Sequence, residues 1–260
     1  MKIAIVGAGN MGTAILNGFK AAGENDLITL NPVNPRVEKF TQAKQIQLVN
    51  TPTDLVKAQP AVVILTTPAS ITLEVASQLA SLNEETIIIS SAAGISLAAL
   101  AKALPNHPLA AMIPNTPVAV NAGTIGLALR ENLPATITAT IKEILGKLGD
   151  VIVVKETDLN IIGVVGGCGP AFVDVLMDAF SDAAVKHGLS RQIAYQVVAS
   201  MVKGSGTLAT ETGFAPALLR DQVTSPGGTT IKGISALEAR GFRGAAIAAI
   251  DAASDNSATN

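Results

Sequence analysis

The 260-residue chain is poorest in cross-linking, metal-binding and stacking residues: one cysteine, no tryptophan, one tyrosine, six phenylalanines and two histidines. A lone cysteine, Cys168, excludes an internal disulfide and a cysteine-rich zinc site, and His107 and His187 lie too far apart for a paired-histidine helix motif. No resident metal is expected, and the thiol content suits a reducing cytosol. So few rings leave little for bases to stack on. Charge of one sign is missing too: 18 basic against 20 acidic side chains leave a net charge of −2, without a positive field for nucleic acid or anionic lipid. Apolar runs such as 61–65 and 161–165 fall far short of the roughly 20 residues that span a bilayer. Met1-Lys2 is followed by four apolar residues and then Gly-Ala-Gly, which does not read as a secretory leader. The expectation is a cytoplasmic protein with neither nucleic acid nor membrane as partner.

What is present is apolar. Hydrophobic residues make up 48% and charged residues 15%, a composition that folds. Over residues 1–157, short β-branched runs at 2–6, 27–30, 61–66, 86–90, 109–113, 124–129 and 151–154 alternate with helical stretches. Near-continuous apolar strands separated by crossovers indicate an α/β, Rossmann-type doubly wound parallel sheet with helices on both faces. After Asp158 the strand signal ends, and 158–260 reads as an all-α domain with helices near 158–188, 190–211, 216–221, 229–240 and 243–254. Asp174, Asp178, Asp182 and Lys186 recur every four residues as one solvated stripe, while Phe172, Val173, Leu176, Met177, Phe180 and Val185 occupy the other faces. So many apolar faces predict a homodimer or larger assembly built on this half. The tail from Ser254 is expected to fray.

Gly7-Ala8-Gly9-Asn10-Met11-Gly12 follows the first strand and opens a helix. In that setting the glycines permit a tight turn, close approach of a pyrophosphate and tight helix packing, with free N–H groups at the helix start facing phosphate. Gly7, Gly9, Asn10, Met11 and Gly12 are therefore candidate cofactor-binding residues. The second strand ends in Asn31 without the acid that would select NAD, and Asn31, Asn34 and Arg36 can donate to a 2′-phosphate instead. NADPH is favoured, with NADH as the alternative.

Ser225-Pro226-Gly227-Gly228-Thr229-Thr230 forces a turn before a helix and forms a second candidate anion site, with the N–H groups of Gly228, Thr229 and Thr230 and neighbouring hydroxyls. Here the chain resembles the pyrroline-5-carboxylate reductase family over essentially its whole length. The family's Ser-Pro-Gly-Gly-x-Thr turn, then Leu-Glu and Gly-Phe-Arg, matches 225–230, Leu237-Glu238 and Gly241-Phe242-Arg243. The glycine-rich start, Ser91-Ala92-Ala93-Gly94-Ile95 and Ile113-Pro114-Asn115-Thr116-Pro117 also match in order, and Gly167-Cys168-Gly169-Pro170-Ala171-Phe172 resembles Gly-Ser-Gly-Pro-Ala-Tyr.

The resemblance implies an NAD(P)H-dependent imine reductase acting on a cyclic imino acid, with helical domains interlocked in dimers that in many members assemble into a decamer. It also implies the substrate carboxylate at Ser225, Gly227, Gly228 and Thr229, with Thr230 as the catalytic residue beside the ring nitrogen. Asn115 falls near the nicotinamide ribose, and Thr66, Thr67, Pro68, Ala93 and Gly94 along the cofactor. Thr67 departs from the family's usual lysine, Cys168 from its serine, and Ala122 from a common acid.

The residue chemistry agrees. Reducing a cyclic C=N bond needs hydride on carbon and a proton on nitrogen, and a protonated iminium is electrophilic without metal or covalent help. Thr230 is too weak an acid to protonate an imine and is assigned orientation. His107 is expected in a loop and His187 at an exposed helix end. Two readings compete. A β-hydroxyacid dehydrogenase would resemble a pattern with Asn three residues after a helical lysine, where Lys186 is followed by Leu189. A non-enzymatic NADP sensor would have no need of the 225–230 turn.

Overall fold

The computed structural model describes residues 1–255. The chain divides into two compact units, Met1–Gly167 and Cys168–Asn260.

The first unit runs β1 (Ile3–Val6), α1 (Asn10–Ala21), β2 (Leu27–Leu30), α2 (Pro35–Lys44), β3 (Gln47–Val49), α3 (Pro52–Ala58), β4 (Val62–Leu65), α4 (Ala69–Ser77), β5 (Ile87–Ser90), α5 (Leu97–Ala103), β6 (Leu109–Ile113), β7 (Gly123–Leu129), α6 (Ala135–Gly146) and β8 (Gly149–Val153). The eight strands lie in the order β3-β2-β1-β4-β5-β6-β7-β8. Alternate residues of the central strands feed two cores. On one face Ile3, Ile5 and Ile64 pack with Ile15, Leu16 and Phe19 of α1 and Leu145 of α6. On the other, Ala4, Val6 and Leu65 pack with Leu55 of α3, Ala76 of α4 and Leu100 of α5. Covering both faces explains why the strand sequences are apolar runs and not alternations.

Two features depart from the sequence expectation. β7 pairs antiparallel with β6, so the sheet is not wholly parallel. Residues 114–122, which include a 3-10 turn at Thr116–Val120, are too few for the helical crossover a parallel strand requires. The edge strand β3, Gln-Leu-Val, is too short and polar to stand out in the sequence. His107 does lie in a loop, but it is buried, with Nδ1 3.2 Å from the Thr86 carbonyl oxygen.

After β8 a 3-10 turn (Glu156–Asp158) leads into α7 (Leu159–Ile162), which contacts β6 and β7. These contacts belong to the first unit, which runs to Gly167. A π-helical turn, Gly163–Cys168, follows.

The second unit holds α8 (Gly169–Lys186), α9 (Arg191–Thr212), α10 (Pro216–Gln222), α11 (Thr229–Ala239) and α12 (Phe242–Asp255). α8 and α9 pack together, and Asp182 and Asp178 of the expected solvated stripe turn toward α9: Arg191 Nη1 lies 2.6 Å from Asp182 Oδ1 and the Tyr195 hydroxyl donates to Asp178 at 3.2 Å. Within the described residues of this unit only Ser181, Ala194 and Val198 are buried. Phe172, Val173 and Phe180 stand exposed, as do Val175 (71%) and Ile247 (62%). The helical stretch Glu156–Lys186 is, by length and composition, apolar enough to cross a membrane, which the separate short runs of the sequence did not reveal. α12 continues to Asp255, so Ser254 is helical, while the rest of the tail expected to fray lies outside the described residues.

Candidate active site

The glycine-rich turn joins β1 to α1 at the carboxyl end of the parallel strands, where doubly wound sheets bind ligands. Gly7 has φ +99°, open to glycine but not to most residues. A Cβ at Gly12 would collide with the Gly7 carbonyl oxygen and crowd the Thr66 hydroxyl, so α1 approaches the turn closely only without a side chain there. Gly9 differs. Its backbone is extended (φ −71°, ψ −162°) and a Cβ would meet nothing within 4 Å, so the protein's own packing does not require glycine at this position. Gly9 leaves space at the start of α1, where no side chain caps the free N–H groups. Space, free donors and the positive end of a helix fit a dinucleotide pyrophosphate.

Asn31, Arg36 and Thr66 bond directly to this turn. Asn31 Oδ1 accepts the Ala8 N–H at 2.9 Å, and Arg36 Nη2 donates to the Ala8 carbonyl at 2.9 Å. Asn34 caps α2 by accepting the Arg36 N–H at 3.0 Å. Asn31 and Arg36 thus hold both backbone polar groups of Ala8, and Arg36 also lines a cleft with Thr13, Asn17, Val37 and Phe40. The Thr66 hydroxyl lies 2.6 Å from the Gly7 carbonyl oxygen, and the Thr67 hydroxyl pairs at 2.8 Å with that of Thr72 where α4 begins beyond Pro68. Ala93 and Gly94, the latter at φ +80°, form the turn after β5, where the Ser91 hydroxyl donates to Leu65 at the end of β4. Asn115 is only 6% exposed: Oδ1 accepts the Thr124 N–H and Nδ2 donates to the Gly166 carbonyl, both at 2.9 Å.

In the second unit the 225–230 turn closes with the Gly228 N–H donating to the Ser225 carbonyl at 3.0 Å, and Gly227 adopts φ +69°. A Cβ on Gly228 would overlap the Ser225 hydroxyl. No side chain caps α11, Thr229 and Thr230 are exposed, and among the described residues the hydroxyls of Ser225, Thr229 and Thr230 have no hydrogen-bond partner.

Residues 156–260 match the family model described as pyrroline-5-carboxylate reductase dimerisation, and residues 2–94 match that described as NADP oxidoreductase coenzyme F420-dependent. A pyrroline-5-carboxylate reductase of Escherichia coli is 34% identical over 254 residues, covering 96% of this chain and 94% of its own. The chain belongs to the pyrroline-5-carboxylate reductase family. A family member from Synechocystis is 32% identical over 97% of this chain and 96% of its own. The solved pyrroline-5-carboxylate reductase of Coxiella burnetii superposes with a TM-score of 0.84 at 28% identity, covering 98% of this chain and 97% of its own. The Streptococcus pyogenes enzyme gives 0.81 at 28%, covering 99% and 98%.

Side chains with clearly displaced pKa values lie outside these sites. The Thr51 hydroxyl and Lys57 lower Asp54, Glu24 raises Lys147, and Asp182 raises Arg191. Lys186, which a hydroxyacid dehydrogenase would need in its site, is exposed in the last turn of α8. The inward ties of Asn31 and Arg36 to Ala8 had no signal in the sequence, because they join residues more than twenty positions apart.

Proposed function

We propose that this chain, as a member of its family, reduces the C=N bond of 1-pyrroline-5-carboxylate to give L-proline, the last step of proline synthesis. The observation that carries this reading is the 225–230 turn, whose uncapped helix start and unpartnered hydroxyls suit a small carboxylated ligand. In this reading the N–H of Thr229 and the Ser225 hydroxyl, brought together by the Gly227-Gly228 turn, hold the carboxylate, while the Gly228 N–H closes the turn on the Ser225 carbonyl. Thr230 orients the ring nitrogen by a hydrogen bond. Its hydroxyl is far too weak an acid to protonate the imine, so the proton comes with the substrate iminium or from water.

The residues of the first unit fit a dinucleotide. NADPH, when bound, supplies the hydride. Gly7, Gly9, Asn10, Met11 and Gly12 would face its pyrophosphate, Asn31, Asn34 and Arg36 its adenosine 2′-phosphate, and Thr66, Thr67, Pro68, Ala93 and Gly94 its remaining length. Arg36 keeps guanidinium donors beyond the one given to Ala8, and its charge favours NADPH over NADH.

The exposed apolar helices of the second unit serve subunit association, with a homodimer as the smallest assembly and a decamer as the larger form. The apolar stretch Glu156–Lys186 belongs to this contact, and the enzyme works in the cytoplasm without nucleic acid or membrane as partner.

The test is cofactor oxidation with and without racemic pyrroline-5-carboxylate, using NADPH and NADH in turn. Turnover that requires the imino acid is expected, and NADPH binding without turnover would favour a sensor. In the same assay Arg36→Ala should raise the Michaelis constant for NADPH about tenfold, the loss of one charge-assisted contact of roughly 1.5 kcal/mol, and leave NADH nearly unchanged. Equal losses with both would assign Arg36 to holding the glycine turn through Ala8.

A further inference from the structure

The helical stretch Glu156–Lys186 contains Pro170, which has no N–H. In α-helical pairing that N–H would serve the carbonyl four residues earlier, Gly166, and the proline ring would press on the same carbonyl. The stretch does not kink at random. It widens into a π-turn at Gly163–Cys168, and the Gly166 carbonyl accepts from Asn115 Nδ2 at 2.9 Å. Asn115 is held in turn: its Oδ1 accepts the Thr124 N–H at 2.9 Å at the start of β7, and the side chain is almost wholly buried. Gly163 and Gly166 bring the turn against β6 and β7, where their would-be Cβ atoms lie 3.2 Å from Ile113 and 3.8 Å from Thr124. Pro114-Asn115-Thr116 is therefore tied by one hydrogen bond to Gly166, the residue just before Gly167-Cys168-Gly169-Pro170, at the carbonyl that the proline leaves without its α-helical donor.

We propose that Asn115 is a positioning residue of the reductase: its amide replaces the donor that Pro170 lacks, holds the π-turn open and fixes the helical phase of the Gly167–Phe172 segment that follows. It acts through the Gly166 carbonyl and does not need to touch the cofactor. The π-helical geometry is consistent with this, since such single turns are rare inside helices and frequent at functional sites.

The test is a double-mutant cycle of Asn115→Ala and Pro170→Ala, read by turnover number, binary NADPH affinity and thermal unfolding. Asn115→Ala should lower turnover about 10–100-fold with NADPH affinity within twofold of the parent. Pro170→Ala restores an N–H to residue 170, so adding Asn115→Ala to it should lower turnover no more than about threefold. Asn115→Asp, which keeps the acceptor for Thr124 but has no donor for Gly166, should behave like Asn115→Ala. Additive losses, or a tenfold loss of NADPH affinity indifferent to Pro170→Ala, would overturn the proposal and make Asn115 a cofactor contact. If Asn115→Ala does not fold, recovery of a folded chain by Pro170→Ala supports it and failure to recover contradicts it. The turnover arm rests on the imine-reductase reading; unfolding does not, so Pro170-dependent coupling in thermal unfolding without imine turnover would sink that reading and leave this one standing.

Discussion

In the first unit, β1, β2, β4 and β5 are buried at every residue, whereas in the second, α10, α11 and α12 bury none. Both regions are rich in Val, Ile, Leu and Ala. The difference lies in what each can cover. A sheet flanked by helices removes both of its faces from water within one subunit, while the helices beyond Gly167 offer apolar sides in more directions than one another's surfaces can shield. Burying each Val, Leu, Ile or Phe is worth about 1.5–3 kcal/mol, so the second unit leaves much of its potential stability to association.

The comparison can be broken most severely at Gly12. Gly12→Val puts a branched side chain against the Gly7 carbonyl, a backbone atom that cannot move aside, and should cost about 3 kcal/mol and abolish NADPH binding. Thermal unfolding with a cofactor titration measures both, and a parent-like melting temperature would contradict the close approach. Next in size, Val175→Asp with Ile247→Asp places charge on exposed apolar surface and should shift the light-scattering mass to a 26.4 kDa species. NADPH binding should weaken little, because these residues lie outside the first unit. An unchanged assembly would mean that other faces carry the contact.

The smallest effect concerns the Lys147–Glu24 pair, which ties α6 to the loop before β2. The hydrogen bond to Glu24 raises the Lys147 pKa, so its stabilisation is complete below the ordinary lysine value of 10.5 and is lost as pH rises through the elevated folded value. The pair is partly exposed, so Glu24→Gln should cost only about 0.5 kcal/mol at neutral pH and flatten the fall in melting temperature at high pH. An identical alkaline profile in parent and variant would show that the pair contributes nothing.

Much of this was legible in the sequence for physical reasons. Fully buried strands declare themselves as β-branched runs, and Gly7 and Gly12 mark a turn whose conformation and spacing few other residues tolerate. The helices after Asp158 were visible through Gly and Pro punctuation, and their apolar faces pointed to association. What stayed hidden depended on partners distant in the chain. The reversal of β7 follows from a connection too short for a crossover; β3 has three residues and a polar start; the burial of His107 rests on Thr86. Asn31, Arg36 and Asn115 are held by hydrogen bonds to backbone groups, which no side-chain pattern records.

The central claim is that labour is divided, with the cofactor held by the first unit and the imino acid by the turn before α11. Its most direct test is Thr230→Ala, with turnover number and binary NADPH affinity measured on the same preparation and Thr230→Ser as control. The account predicts turnover lower by about 10–100-fold, on the order of 1.4–2.7 kcal/mol for one lost polar contact, with NADPH affinity unchanged and most activity recovered by serine. Full turnover in Thr230→Ala, or a loss of NADPH affinity in step with turnover, would contradict it.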